Sequence, residues 1–428
     1  MRYAFLLLLA LTPLLAAAQA PDTVRVRLLA PTPPTSAVFT SSTPLTVVRD
    51  AHHETLRAGE SLRLQVQGNR IGGRGLRGSS SLVILRSDAP ITVQAGSRTR
   101  SYVGTMAIRQ HQGRLQIVNH APMPDYVASV VASEYHFSEI EGIKAQAVLA
   151  RTYAARRMNS SRSYDVDDHT GSQVYKGIDA VTDRAKRAAL ETAGERLYYG
   201  DKLADAVYSS SSGGHTADNE TIWHGAPRPY LRGVPDPYDA DAPDHRWTTT
   251  ASASAVHRAF SQRFGGRVRG LSVTEQSPEG RIVQLELAGA HPISGSQFRS
   301  AMNAAFGYRT IRSTHVEIQR RGDEYVFNGR GFGHGVGMSQ YGARGQARAG
   351  RSYREILAYY YQGTTVERDI AATSPPVATT TRRWPTPRRE ARNAPPEDAA
   401  SAPRTVRRSP TPRREARATP SAPARRAW

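Results

Sequence analysis

From Val24 to about residue 118 the chain alternates between apolar and polar side chains in short runs, "VRVRLL", "SLRLQV", "SLVILRS" and "ITVQAG", separated by Gly, Ser and Asn. At Pro124 the period changes to that of a helix. A period of two suits strands buried on one face, so residues 21–118 are predicted to form a β-rich N-terminal region. Residues from about 195 to 335 return to strand-like runs ("ERLYYG", "LADAVYSS", "IVQLELAG", "HVEIQRR", "EYVFNG"), with a helix predicted over Ser296–Phe306. A last helical run, "YREILAYYYQGT", stops at Gly363, a residue suited to a left-handed cap. Blocks of strands and helices, rather than a strict βαβ alternation, place the chain in the α+β class.

The two ends carry different signals. "MRYAFLLLLALTPLLAAAQA" has one arginine, an apolar run short for a bilayer and an Ala18-Gln19-Ala20 ending, which reads as a cleaved secretory signal over residues 1–20. The expected location is therefore outside the cytoplasm, in a periplasm or cell wall, with no membrane span after cleavage. The 428 residues include no cysteine, which excludes disulfides, a thiolate nucleophile and a lipidated cysteine. Residues 371–428 carry 13 Arg and 4 acids of a chain whose formal charge is +20, and they repeat "PTPRREAR" at 385–392 and 410–417. With almost no aliphatic side chains this tail is predicted to be disordered, either a solvated linker or an anchor to anionic envelope polymers. For an exported chain an envelope polyanion is a more accessible partner than nucleic acid.

The stretch "VVASEYHFSEIEGIKAQAVLARTY" holds three glutamates. Val127, Val130 or Val131, and Glu134 fall three or four residues apart and share one helix face, with Pro124 suited to the first turn. A carboxyl on that face, near the negative end of the helix, has a raised pKa and suits a general acid; the plainer alternative is a frayed helix end pointing to water. Ser138 and Glu141 have capping-box spacing, and with Glu139 they are expected to start the next helix. Its alanines (145, 147, 150, 154, 155) permit close packing, while Lys144 and Arg151 face either a cleft or solvent.

Two further segments combine small and polar residues. "YSSSSGGHTADNETIW" offers Ser209–Ser212 and His215 without a G-x-S-x-G elbow or an orienting carboxylate beyond Asp218. A site floor for a hydroxyl-rich ligand and a simple Ser/Gly turn both fit it better than a nucleophile does. "NGRGFGHGVGMSQYGARG" has glycine at 329, 331, 333, 335 and 337, so an extended conformation would leave one side bare for a ligand or a neighbouring element. Its His334 reads as a core histidine, a ligand contact or a metal ligand.

Together "MPDYVASVVASEYHFSEIEGIKAQAVLARTYA", "DVDDHTGSQVYKG", "AVYSSSSGGHTADNETIWHG", "PYLRGVPDPYDADAPDHRW" and "GRGFGHGVGMSQYGARGQARAGRSYREILAYYYQGT" resemble the SpoIID/LytB family of bacterial cell-wall proteins, in order and over about Met123–Thr364. The resemblance implies a two-armed domain around a groove, over residues 119–370, and lytic transglycosylase activity on peptidoglycan glycan strands. The family's catalytic glutamate falls on Glu134, although Tyr135-His136 stand where the family usually has Met-Pro. Lys144, Arg151, Gln173, Tyr175, Ser211, Ser212, His215, His334, Ser339 and Gln340 are the expected glycan contacts. Some members bind zinc through Cys and His near the segment matching "DDHTGSQVY"; with only His169 there, neither a metal nor another cofactor is expected. The LytB branch implies a competing role, a glycan-binding enhancer of an amidase.

Overall fold

The computed structural model describes residues 23–368 apart from 51, 75 and 77; the expected signal (1–20) and the tail (371–428) lie outside the described residues. Strand Thr23–Leu28 shows how the two-residue alternation is used. Val24, Val26 and Leu28 turn into the core, while Arg25 and Arg27 on the other face pair with Asp165 and Asp167 at 2.6 Å. Those partners flank and occupy the short strand Val166–Asp167, which lies parallel to Thr23–Leu28 and adds an edge to the first sheet.

That sheet has seven strands, in the order Val166–Asp167, Thr23–Leu28, Arg114–Pro122, Thr105–His111, Leu82–Arg86, Leu45–Arg49 and His52–Leu56. A five-stranded sheet, Arg70–Gly72, Leu62–Gln67, Ser36–Ser41, Ile91–Ala95 and Arg98–Tyr102, faces it. Phe39, Leu62, Leu64 and Ile91 of the second sheet share one core with Val24, Val83, Leu85 and Ile108 of the first. Each such side chain, fully buried, contributes about 1.5–3 kcal/mol.

Residue 118, the expected end of the β region, lies inside strand Arg114–Pro122, and Pro122 leads directly into helix α1 (Met123–Glu134). Pro124 sits in the first turn, where a missing N–H leaves no intrahelical bond unmade. Tyr126, Val127, Val130 and Val131 are buried in the same core as the sheets. Helix α2 (Ile140–Arg157) packs beside α1, its Ala145, Ala147, Ala150 and Ala154 fully buried. A third helix, α3 (Asp183–Glu191), packs on both.

The expected capping box at the start of α2 does not form. Glu139 is the N-cap and makes no side-chain cap bond. Its carboxylate instead receives Arg348 at 2.7 Å and Arg344 at 3.4 Å, while Glu141 receives Lys144 at 3.0 Å and the Tyr353 N–H at 2.8 Å. Arg344 and Arg348 thus draw Glu139, which keeps a 3.0 Å bond from the Ser138 N–H, and Glu141 turns to Lys144 and Tyr353, away from the Ser138 N–H. Capping boxes do form at Ser294/Gln297 and Ser352/Glu355.

After α4 (Asn219–Trp223) the chain builds a second core. Two three-stranded sheets, Arg246–Ser252 with Glu324–Arg330 and Val316–Arg321, and Gly270–Gln276 with Ile282–Ala288 and Ile293–Ser294, pack with α5 (Ala253–Phe264) and α6 (Gly295–Phe306) around Phe260, Leu285, Phe298 and Phe327. Helices α7 (Gln340–Arg348) and α8 (Tyr353–Tyr360) return to the first core, through Ala343, Ile356 and Leu357. The observed class is α+β, as the alternation of patterns predicts. Within "LADAVYSS" only Leu203, the end of strand Lys202–Leu203, and Tyr208–Ser209 are strand.

Candidate active site

Glu134 is the last residue of α1 and is half-buried. Val174 donates its N–H to Glu134 Oε1 at 2.7 Å. Burial raises the carboxyl's pKa above the ordinary glutamate value, and the Val174 N–H and the Lys176 charge pull it back only in part. The Glu134 carbonyl, one of the orphan acceptors at a helix end, takes a 3.0 Å bond from Gln340 Nε2, which also reaches Gln146 Oε1 at 3.3 Å. One glutamine thus ties α1, α2 and α7 together at the candidate acid.

Beside it, Tyr126 donates to Gln173 Oε1 at 2.7 Å, and Gln173 Nε2 donates to the Tyr208 hydroxyl at 3.2 Å. Burial and the Glu134 charge both hold the Tyr208 phenol well above its ordinary value, so it stays protonated. Because the amide fills an acceptor position on the Tyr208 oxygen, the phenolic hydrogen remains a donor for another group. Gln173 and Gln340 lie beside Glu134, but both are buried with their amides bonded to protein, so they brace the site and are not the glycan contacts expected of them; Tyr126 and Tyr208 were not singled out by the sequence.

Other expected contacts take structural roles. Tyr175 is 1% exposed, donates to Asn119 Oδ1 at 2.7 Å and packs its ring on Tyr102 and Tyr126. Arg151 is 2% exposed and donates to the carbonyls of Ala189 and Glu195. Both point into protein, where no glycan reaches, so neither is a substrate contact. Lys144 lies between Glu141 and Glu191, at 3.0 and 2.9 Å, which bind the charge at the surface of α2. His169 accepts the Gly171 N–H at Nδ1.

Ser211, Ser212 and Ser339 are likewise buried, and the reason is a pair of carboxylates that spacing did not reveal. Asp239 accepts from the Ser211 and Ser339 hydroxyls at 2.7 and 2.6 Å, from the N–H groups of Ser212 and Gly213 at 3.2 and 3.0 Å, and from His245 Nδ1 at 3.2 Å. Asp236 accepts from the Ser212 hydroxyl at 2.9 Å and from Tyr360 at 3.0 Å. The serines are fastened to Asp236 and Asp239 and not to Asp218. Fully buried Arg281 donates to the carbonyls of Ser212 and His215 at 3.0 and 3.1 Å, pinning the second core to the serine loop.

Burial and the neighbouring Asp239 push the Asp236 carboxyl up to about 7. An acid whose folded pKa is raised binds more protons folded than unfolded between its ordinary value of about 4 and that point, so stability falls as pH rises through this window. Denaturant titrations at pH 5 and pH 8 are expected to show higher stability at pH 5, and Asp236→Asn to flatten the difference. An unchanged pH dependence in that variant would show that Asp236 is not its source.

The glycine-rich segment is not extended. Gly331, Gly333, Gly335 and Gly337 all have positive φ, and Met338–Ser339 pairs in parallel with Tyr208–Ser209. A Cβ on Gly331 would stand 2.7 Å from the Ser211 carbonyl, and one on Gly213 2.6 Å from Gly331 N. The neighbour that requires bare backbone at Gly331 and Gly333 is thus the serine loop itself, while Gly335 faces Arg281 and Gly337 the Val207 carbonyl. His334 accepts the Val336 N–H at Nδ1, bonds the Tyr208 backbone and is held neutral by burial, down to about 4. His215 donates from Nδ1 to the Thr216 carbonyl at 2.7 Å and stays half-buried beside the same loop.

The stage II sporulation protein (SpoIID) family model matches residues 111–199, which carry Glu134 and Gln173. Stage II sporulation protein D of Bacillus subtilis (strain 168) is 33% identical over 277 residues, covering 59% of this chain and 76% of that protein. The chain belongs to the SpoIID family. The Bacillus amyloliquefaciens stage II sporulation protein D is also 33% identical, with 58% and 75% covered. The amidase enhancer of B. subtilis is 29% identical to this SpoIID-family chain, over 53% of it and 38% of the enhancer. A domain of unknown function (DUF8618) matches residues 236–337, which contain the second core. These relationships support a peptidoglycan-related role for this SpoIID-family protein. No helix among the described residues is long and apolar enough to cross a membrane.

Proposed function

We propose that the protein is a lytic transglycosylase that cleaves the bond between N-acetylmuramic acid and N-acetylglucosamine in peptidoglycan strands, with Glu134 as acid and then base. The observation that carries this reading is the half-buried Glu134 carboxyl, its pKa raised and held by a single N–H. Protonated, it donates to the glycosidic oxygen as the bond to C1 breaks, and the muramic N-acetyl oxygen stabilises the cationic carbon. As carboxylate it takes the proton of the C6 hydroxyl, whose oxygen closes on C1 to give a 1,6-anhydro end. No second carboxylate and no water are consumed. The Tyr208 hydroxyl, oriented by Gln173, supplies a donor beside the reacting groups, and Gln340 fixes the backbone that carries the acid.

Since the acid must begin protonated, kcat/KM is expected to fall as pH rises through a value above the ordinary glutamate range. Digestion of peptide-free glycan by the purified protein, followed by mass spectrometry, tests the reaction. Anhydro ends support cleavage. Intact strands retained on the protein would support the second reading, a non-catalytic amidase enhancer, which the similarity to the B. subtilis enhancer favours. On either reading we propose export to the periplasm or wall, with the basic tail of residues 371–428 on anionic envelope polymers.

A further inference from the structure

Among the described residues six large hydrophobic side chains are exposed, and three are aromatic: Tyr199, Trp223 and Tyr308. Two of these stand on the same glycine-rich segment. Trp223, 47% exposed at the end of α4, lies 5.1 Å from the His334 ring, and Tyr308, 63% exposed, lies 5.8 Å from the Phe332 ring. Phe332 also carries Arg309 over its face at 4.9 Å. Arg299 of α6, whose Nε donates to the Ile311 carbonyl at 3.2 Å, is close enough for its charge to act on both His334 and Tyr308. The helix bearing Trp223 is fixed from α6 by the Ser296 hydroxyl, which donates to the Ile222 carbonyl at 2.8 Å.

The glycine-rich segment behind these rings runs on to the neighbourhood of the candidate acid, where its Met338–Ser339 pairs with Tyr208–Ser209. His334 bonds the backbone of Tyr208, and the hydroxyl of Tyr208 lies in the field of Glu134. The glycine-rich segment is bound on its other side by the serine loop, with Ser211 bridged to Phe332. The supporting rings therefore have little freedom to collapse over Trp223 and Tyr308. An isolated exposed aromatic needs no explanation, but two braced aromatic side chains on one half-buried segment do.

We propose that Trp223 and Tyr308, backed by His334 and Phe332, form a ledge on which pyranose rings of the glycan strand stack, away from the bond being broken. This rests on the reading of Glu134 as the centre of a glycan site. The C–H bonds on one face of a pyranose are weakly positive and apolar, and they match the negative face of an aromatic ring. His334 stays neutral, so no charge needs to be desolvated at the base of the ledge. The ligand is the carbohydrate backbone and not the stem peptide.

The test uses the mature full chain carrying Glu134→Gln, so that strands are bound and not cut, with peptide-free glycan strands as the probe. Trp223→Ala in this background is expected to weaken binding about tenfold, Trp223→Phe to restore most of it, and Tyr308→Ala to weaken it severalfold. In the cleaving protein Trp223→Ala is expected to raise KM and leave kcat nearly unchanged. Glycan binding equal to the parent's in both Trp223 variants, or no glycan binding by the parent, would overturn the ledge. Failure of the cleavage reading looks different: binding still falls with Trp223→Ala, while the protein with Glu134 intact produces no anhydro ends. Trp223→Phe keeps a ring in place, so its recovery separates stacking from a fault in folding.

Discussion

Glu134→Gln is expected to lower the rate of anhydro-end formation by about 10²–10⁴, because the amide keeps the shape and the acceptor oxygen but has no proton to give at the glycosidic oxygen. The same variant is expected to unfold within about 0.5 kcal/mol of the parent. The Val174 N–H still finds an acceptor in the amide oxygen, and the tie to Gln340 uses the backbone carbonyl, which the substitution does not touch. Removing a half-buried carboxylate also removes a desolvation cost. Paired measurements, chromatographic product release and urea midpoints, check both halves. Anhydro ends released at the parent rate would end the single-carboxyl mechanism.

The second large effect is on stability. Asp239→Ala is expected to destabilise the fold by about 3–5 kcal/mol, since one truncation leaves two buried serine hydroxyls, two backbone N–H groups and His245 without their acceptor. The charge of Arg281 nearby, its guanidinium already drawn down to about 10 by burial, loses a compensating carboxylate as well. Asp239→Asn keeps one acceptor oxygen and is expected to cost less. Equilibrium denaturation of the two variants beside Ser211→Ala measures how far the network exceeds one hydrogen bond. A midpoint for Asp239→Ala equal to that of Ser211→Ala would show that the serine and glycine loops are held by packing alone.

The two periodicities read from the chain correspond to real faces: Val24, Val26 and Leu28 turn inward at spacing two, and Tyr126, Val127, Val130 and Val131 at spacing three and four. Placing Glu134 at the end of α1 also followed from that pattern. What was not legible depends on contacts between distant residues. Gln340 meets Glu134 across 206 positions, and Ser339 meets Asp239 across 100. Spacing ranks residues on their own element and says nothing of which loop arrives opposite. Arg151 and Tyr175 show the cost: the family resemblance made them expected glycan contacts, but backbone carbonyls and Asn119 satisfy their polar ends in the interior. Ser138 and Glu141 kept the spacing of a capping box and lost it to partners supplied 200 residues later.

The attachment of Glu134 by its main chain has an evolutionary side. The shape of this region draws on the glutamate's carbonyl, which holds Gln340, and on one side-chain acceptor oxygen, which holds the Val174 N–H and which an amide also provides. On the proposed reading, a lineage in which glutamine replaced Glu134 would lose the acid and keep the fold, with no intermediate generation of unstable chains to cross. One frame can in this way yield both a cutting protein and a holding one, separated by a single codon.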